Sequence, residues 1–350
     1  MDFELPEEIR EMRNQARRFA QERIAPHVKE DEEAHRFRPE ILREMGELGF
    51  FGTVIPEEYG GLGMDNGHLA HVAMVMEIAK VSASWGLPFN MQMLGPALTL
   101  NIFGTKEQKE KYLPGLVSGE LLGCFAMTEP NTGSDVASMK TTAVPSDDGF
   151  VVNGNKTWIS QAQVADVGLL YAKTDAKAQP AHKGISAFFY ELKNNPGIST
   201  VPIEGKLGLH CAPTGEVFYE DAKLPKDTLL GELNRGFKIC MTQLENTRLS
   251  CAARAVGVGA ACLEVAKDYA LERKQFGKKL ADFQMIQADL AEMYVHHKAA
   301  EMLVFNAAWK KERGDKEGTD VSTAKYFAAE SAVEAANMAI KILGSYGDST

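Results

Sequence analysis

Phe125-Ala126-Met127-Thr128-Glu129-Pro130-Asn131-Thr132-Gly133-Ser134-Asp135-Val136 and, further on, Lys156-Thr157-Trp158-Ile159-Ser160 decide how this chain is read. Around Gly133, main-chain amides and short hydroxyls can closely approach the polar edge of a planar ring system, because glycine has no Cβ to hold a ligand off. The indole of Trp158, one strand later, can cover the face of that ring. Taken singly, the same pieces read as a polar turn and a half-buried tryptophan.

Other segments fall in order around this pair. Phe103-Gly104-Thr105-Lys106-Glu107-Gln108-Lys109-Glu110-Lys111-Tyr112-Leu113-Pro114 precedes it and Lys206-Leu207-Gly208 follows, then Glu245-Asn246-Thr247-Arg248 and Glu272-Arg273-Lys274-Gln275-Phe276-Gly277-Lys278. Together they resemble the acyl-CoA dehydrogenase family over almost the whole chain. In that family TEPNTGSDV and KTWIS hold the isoalloxazine ring of FAD.

The resemblance implies roles for particular residues. Phe125, Met127 and Thr128 would meet the flavin largely through backbone groups beside Gly133, with Ser134 between FAD and the pantetheine arm. Trp158 and Ser160 would border the ring. Arg273 and Gln275, with Phe276 in the same loop, match positions that reach the FAD phosphates of a neighbouring subunit; a helix end capped by Gly277 is the plainer reading. Gln284 matches a further cofactor contact, or else a solvated helix face. Lys341, Gly344 and Ser345 fall at another FAD edge, where Lys341 and Ser345 depart from the usual Gln and Gly. Glu245 would meet the pantetheine amides and Arg248 the floor of the acyl site, although the i,i+3 spacing also suits an exposed ion pair. A homotetramer built as a dimer of dimers and electron-transfer flavoprotein as partner are implied too.

Removing hydrogens from Cα and Cβ of an acyl-CoA thioester needs a base, stabilisation of the enolate-like oxygen and a hydride acceptor. The family's base is a Glu downstream of the motif matched by Leu343-Gly344-Ser345-Tyr346-Gly347, so it is expected beyond Thr350, in a C-terminal part missing from a shortened chain. A naturally base-less paralogue is the second reading. In isovaleryl-type relatives the base sits one helix earlier, where this chain has Thr247, no base at neutral pH. An oxidase or flavin monooxygenase, or a non-catalytic acyl-CoA-binding protein, on the same scaffold are the rival functions.

The stretch Gly46 to Gly61 resembles the non-decarboxylating glutaryl-CoA dehydrogenases of anaerobic bacteria. Their Arg for the distal carboxylate aligns with Gly86, and Ser82 to Leu100 contains no basic residue. Trp85, Phe89, Met91 and Met93 read as an apolar pocket wall or as plain core. A neutral acyl group is the expectation.

Composition sets outer bounds. At 350 residues, 45% hydrophobic and 25% charged, the chain suits two or three globular domains. Its net charge of −10 argues against nucleic acid as a partner. Five cysteines without a CxxC pair read as free thiols of a reducing compartment. His68 and His71 lack a nearby third ligand, so no metal site is expected. With no leader pattern and no continuous apolar run near the roughly 20 residues of a membrane span, the chain is expected to be cytoplasmic.

Periodicity predicts an α+β multidomain chain: an N-terminal helical domain over 1–120, a middle β domain over 121–230 and a C-terminal helical bundle over 231–350. Helices are expected at Glu40–Leu48, Asn66–Lys80, Lys106–Leu116, Ile239–Asp268, Phe283–Arg313 and Ser322–Leu343. Strands are expected at Gly149–Val152, Val167–Ala172, Ile185–Tyr190 and Glu216–Tyr219. No GxGxxG follows a strand and no P-loop is present.

Overall fold

The computed structural model describes residues 4–315 and 318–348. Seven α-helices come first: α1 (Glu7–Phe19), α2 (Val28–Ala34), α3 (Pro39–Glu47), α4 (Gly67–Val81), α5 (Ala83–Gln92), α6 (Leu98–Phe103) and α7 (Lys106–Ser118). Strands follow: β1 (Gly123–Ala126), β2 (Thr142–Ser146), β3 (Gly149–Ser160), β4 (Val167–Lys173), β5 (Ile185–Glu191), β6 (Ile198–Pro202), β7 (Thr214–Pro225) and β8 (Leu229–Leu230). The chain then returns to helix in α8 (Gly236–Glu272), makes a hairpin of β9 (Lys274–Gln275) and β10 (Lys278–Lys279), and closes with α9 (Gln284–Glu312) and α10 (Gly318–Leu343). Helices, then strands, then helices is the expected order. Its compact units, however, are discontinuous: one comprises Met1–Val28, Asp65–Gly86 and Arg248–Thr350, the other Lys29–Met64 and Leu87–Thr247.

In the second unit the sheet runs β6-β7-β3-β2-β4-β5-β8, with β1 parallel to β4. β4 and β5 read as continuous apolar runs because both are almost wholly buried. One face packs with Leu113 and Leu116 of α7 through Leu169, Tyr171 and Phe189. The other encloses Val152, Leu170, Phe188 and Val217. α7 begins at a capping box, the Thr105 side chain accepting from the Gln108 amide and Gln108 returning the bond.

In the first unit α4 is buried nearly all round. It carries Glu77, which receives Arg13 at 2.7 Å and Arg17 at 2.9 Å, and His71, whose Nε2 lies 2.9 Å from Ser250 Oγ. His68 turns instead to Glu312, 3.3 Å away. Burial, with a lesser push from His68, takes the His71 imidazole down to about 3. The unfolded chain therefore takes up a proton near pH 6.5 that the folded one refuses, and stability falls as pH drops from about 6.5 towards 3, by about 1.4 kcal/mol per pH unit. Urea unfolding at pH 7 and pH 5 should show a loss of about 2 kcal/mol that His71→Gln lacks.

α8 corrects one expectation. Although no continuous apolar run reaches 20 residues, this helix is long and apolar enough on average to cross a membrane by length and composition. Its low charge density reflects protein packing as well, since Leu249, Ala252, Ala253 and Val256 are buried. A core helix of a globular protein has the same signature.

Candidate active site

The ring-clamp segments are stitched together by a buried ion pair. Lys156, on β3, has no exposed surface; its Nζ donates to Met127 O at 3.0 Å and to Glu129 Oε1 at 2.9 Å. Glu129 also accepts from the Lys140 and Thr141 amides, at 2.6 and 2.9 Å. Glu129 and Thr132 exchange two backbone bonds of 3.0 Å across a tight turn, and Thr157 N donates to Thr128 O at 2.9 Å. Burial pulls the Lys156 ammonium down to about 8 against the pull of Glu129. Burial also works against the charge on Glu129, yet Lys156 and the amides hold this carboxyl below its ordinary range. Neither residue was assigned a role from sequence, although both lie inside the quoted motifs.

This frame leaves two features turned outward. The β3–β7 register shifts between Lys156 and Ile159, and at this bulge Trp158 takes φ +60° and remains 60% exposed. A bulky residue in the left-handed region costs of order 1–3 kcal/mol, so the surrounding pairing holds the indole out of the sheet. Gly133, exposed, has open space where a Cβ would stand, with no atom within 4 Å. Nothing in its own packing requires a glycine there, whereas close approach of a ligand would. Thr128 and Phe125 are half-buried, Met127 is buried, and Ser134 is exposed. Met127 O and Thr128 O each already accept one bond, from Lys156 Nζ and from Thr157 N.

Profiles of the acyl-CoA dehydrogenase N-terminal, middle and C-terminal domains match residues 6–120, 124–222 and 234–350. The chain belongs to the acyl-CoA dehydrogenase family. It is 47% identical over 352 residues to a glutaryl-CoA dehydrogenase of Desulfococcus multivorans, covering 100% of this chain and 90% of that one. Against the caffeyl-CoA reductase-Etf complex subunit CarC of Acetobacterium woodii it is 40% identical over 344 residues, covering 97% and 89%. The solved glutaryl-coenzyme A dehydrogenase glutaryl-CoA complex superposes with a TM-score of 0.97 at 45% identity, over 100% of this chain and 88% of that one.

For this acyl-CoA dehydrogenase the remaining sequence-chosen residues fall on α8 and beyond. Gly277 does not cap a helix: α8 ends at Glu272, and Gln275 pairs with Lys278 across a two-residue turn. Phe276 and Gly277 have φ +53° and +78°, the mirror-image turn that matches strand twist, and Phe276 at its tip is 94% exposed. Arg273 is exposed beside it, and Gln284 is exposed at the first position of α9. Lys341 binds Asp289 at 2.8 Å, while Gly344 turns the chain at φ +59° next to exposed Ser345. Glu245 is exposed and Arg248 half-buried, three residues apart on α8, and among the described residues neither joins an ion pair. The Thr247 hydroxyl donates back to Gln243 O at 3.1 Å.

Trp85, Phe89, Met91 and Met93 are all buried, Phe89 packing on Phe50 and Phe51, so the stripe is core at least in part. Sequence reading also missed a neighbour of Gly86. The stem of Arg254, from α8, lies against it: a Cβ at Gly86 would stand 3.0 Å from Arg254 Cγ and 3.1 Å from Cδ.

Proposed function

We propose that this chain is an FAD-dependent dehydrogenase of acyl-CoA thioesters, removing the Cα and Cβ hydrogens and handing electrons to an electron-transfer flavoprotein. The observation that carries the reading is Trp158, held out of its sheet by a strained bulge and tied through Lys156 to the turn that presents Gly133. These groups fit a flat, polar-edged ring. FAD, when bound, supplies the hydride acceptor. Ser134 would face the pantetheine arm, Glu245 its amides and Arg248 the acyl end. The partnership with an electron-transfer flavoprotein draws support from the Etf-complex subunit among the relatives.

Arg273, Gln275 and Phe276 would act at a neighbouring subunit's cofactor. Their exposed hairpin, with exposed Met285, Tyr294, Tyr326, Val333 and Ile340 on α9 and α10, supports a homotetramer assembled from dimers, which sedimentation would reveal. A reducing, cytoplasmic setting accords with five free cysteines, of which Cys124, Cys211 and Cys240 are buried.

Reconstitution with FAD tests the reading. The protein should turn yellow, and Trp158→Ala should weaken FAD by about five- to tenfold, because an aromatic face contributes on the order of 1 kcal/mol beyond area burial. Isothermal titration of FAD into the apoprotein measures it, and a folded protein that takes up no FAD rejects the proposal.

A further inference from the structure

Arg254, half-buried on α8, turns one guanidinium nitrogen into the protein without an acceptor to meet it among the described residues. Its Nη1 is enclosed and has no hydrogen-bond partner among the described residues. An enclosed guanidinium N–H left unpaired is costly, so its retention calls for an acceptor from outside the chain. The stem of Arg254 fills the space over Gly86, where a Cβ would also press on Ala79 Cβ at 3.1 Å. A long side chain at position 86 and Arg254 in this conformation exclude each other.

We infer that Arg254 is the specificity-determining residue that binds a carboxylate at the far end of the acyl chain, so that the substrate is a dicarboxylic acyl-CoA monothioester. The inference rests on the dehydrogenase reading and deepens it. Position 86 is where the resemblance places a docking Arg in glutaryl-specific relatives; here the stem of an Arg from α8 lies over that position, and the glycine makes room for it. Spacing along α8 agrees. Arg254 follows Thr247 by seven residues, hence on the same helix face and about 10 Å further along the axis, and helical side chains lean back towards the N-terminus. Thr247 aligns with the isovaleryl-type base, which must face the reacting carbon. A guanidinium leaning back from two turns away meets the end of a chain a few carbons longer than that carbon. The planar fork of Arg suits a carboxylate, with which it can form two parallel hydrogen bonds. This reverses the neutral-chain expectation, which considered only residues next to Gly86 in sequence.

Binding to the FAD-loaded full chain, read by the shift of the flavin spectrum, tests it with glutaryl- and adipyl-CoA against butyryl- and hexanoyl-CoA. The unmodified protein should prefer the dicarboxylic ligands. Arg254→Gln should lower their affinity by on the order of 10–100-fold relative to the neutral ones. The exchanged pair Gly86→Arg with Arg254→Gly should recover much of the preference, which a merely structural role for Arg254 would not allow. An unchanged dicarboxylic-to-neutral ratio in Arg254→Gln, with neutral ligands still shifting the flavin, overturns the dock alone. Absence of any shift with every acyl-CoA overturns the dehydrogenase reading with it.

Discussion

A polypeptide of these 350 residues, loaded with FAD, is expected to bind an acyl-CoA but bleach its flavin 10²–10⁴-fold more slowly than the same chain extended by a C-terminal segment that carries the expected Glu. The α-proton needs a base within hydrogen-bond reach, and α8 offers none at the matching position. Thr247 is not basic at neutral pH, and its hydroxyl is already spent on Gln243 O. Glu245 lies two residues earlier, about 200° around the helix from Thr247, and is exposed. A Glu downstream of Gly347 remains our proposal for the base, and a polypeptide made without it would lose the general-base contribution while keeping the ring clamp. Stopped-flow bleaching of the flavin absorbance, with and without the extension, measures the difference. Fast bleaching by the unextended polypeptide would disprove the assignment, and Glu245→Gln would then be the next variant to assay.

The long elements were legible because their patterns are strong. α8, α9 and α10 lie within a few residues of their expected spans, and β4 and β5 end one residue beyond theirs. α5 and α6 were missed: they lie in a mostly buried stretch with Pro88 inside α5 and Pro96 just before α6, which removes both the amphipathic period and the usual reading of proline as a helix end. β3 was read only as far as Val152, because Asn153-Gly154-Asn155 looks like a turn; in the sheet Gly154 instead marks a bulge within a continuous strand. The ring clamp could be read because glycine, hydroxyls and indole announce their chemistry. Lys156, Glu129 and Arg254 could not, since charged residues are presumed solvated until the fold shows them enclosed. Arg254 was the hardest to see: its one legible neighbour, Gly86, lies on another helix far away in sequence.

Lys156→Met is expected to destabilise the protein by about 3–5 kcal/mol, the usual cost of breaking a buried pair by removing one partner. The change leaves Met127 O without its donor and Glu129 as an enclosed carboxylate that has lost its cation and keeps the Lys140 and Thr141 amides. Glu129→Gln should differ in its pH response. Without the carboxylate, the Lys156 ammonium, already drawn down to about 8 by burial, loses its proton at still lower pH, whereas the unfolded chain keeps it up to about 10.4. The unfolded state then binds more protons, so this variant gains stability as pH rises from 7 to 9. Lys156→Met, with no amine to titrate, lacks that gain. Both variants should also bind FAD more weakly, because the pair fixes the Glu129–Thr132 turn beside Gly133 to the strand that displays Trp158. The double variant Lys156→Met with Glu129→Met should lose less stability than the Lys156→Met and Glu129→Met single losses added together, since no charge is stranded. Denaturant unfolding at pH 7 and 9 together with FAD titration measures all of this, and additive losses with unchanged FAD affinity would show that the pair neither couples nor holds the clamp.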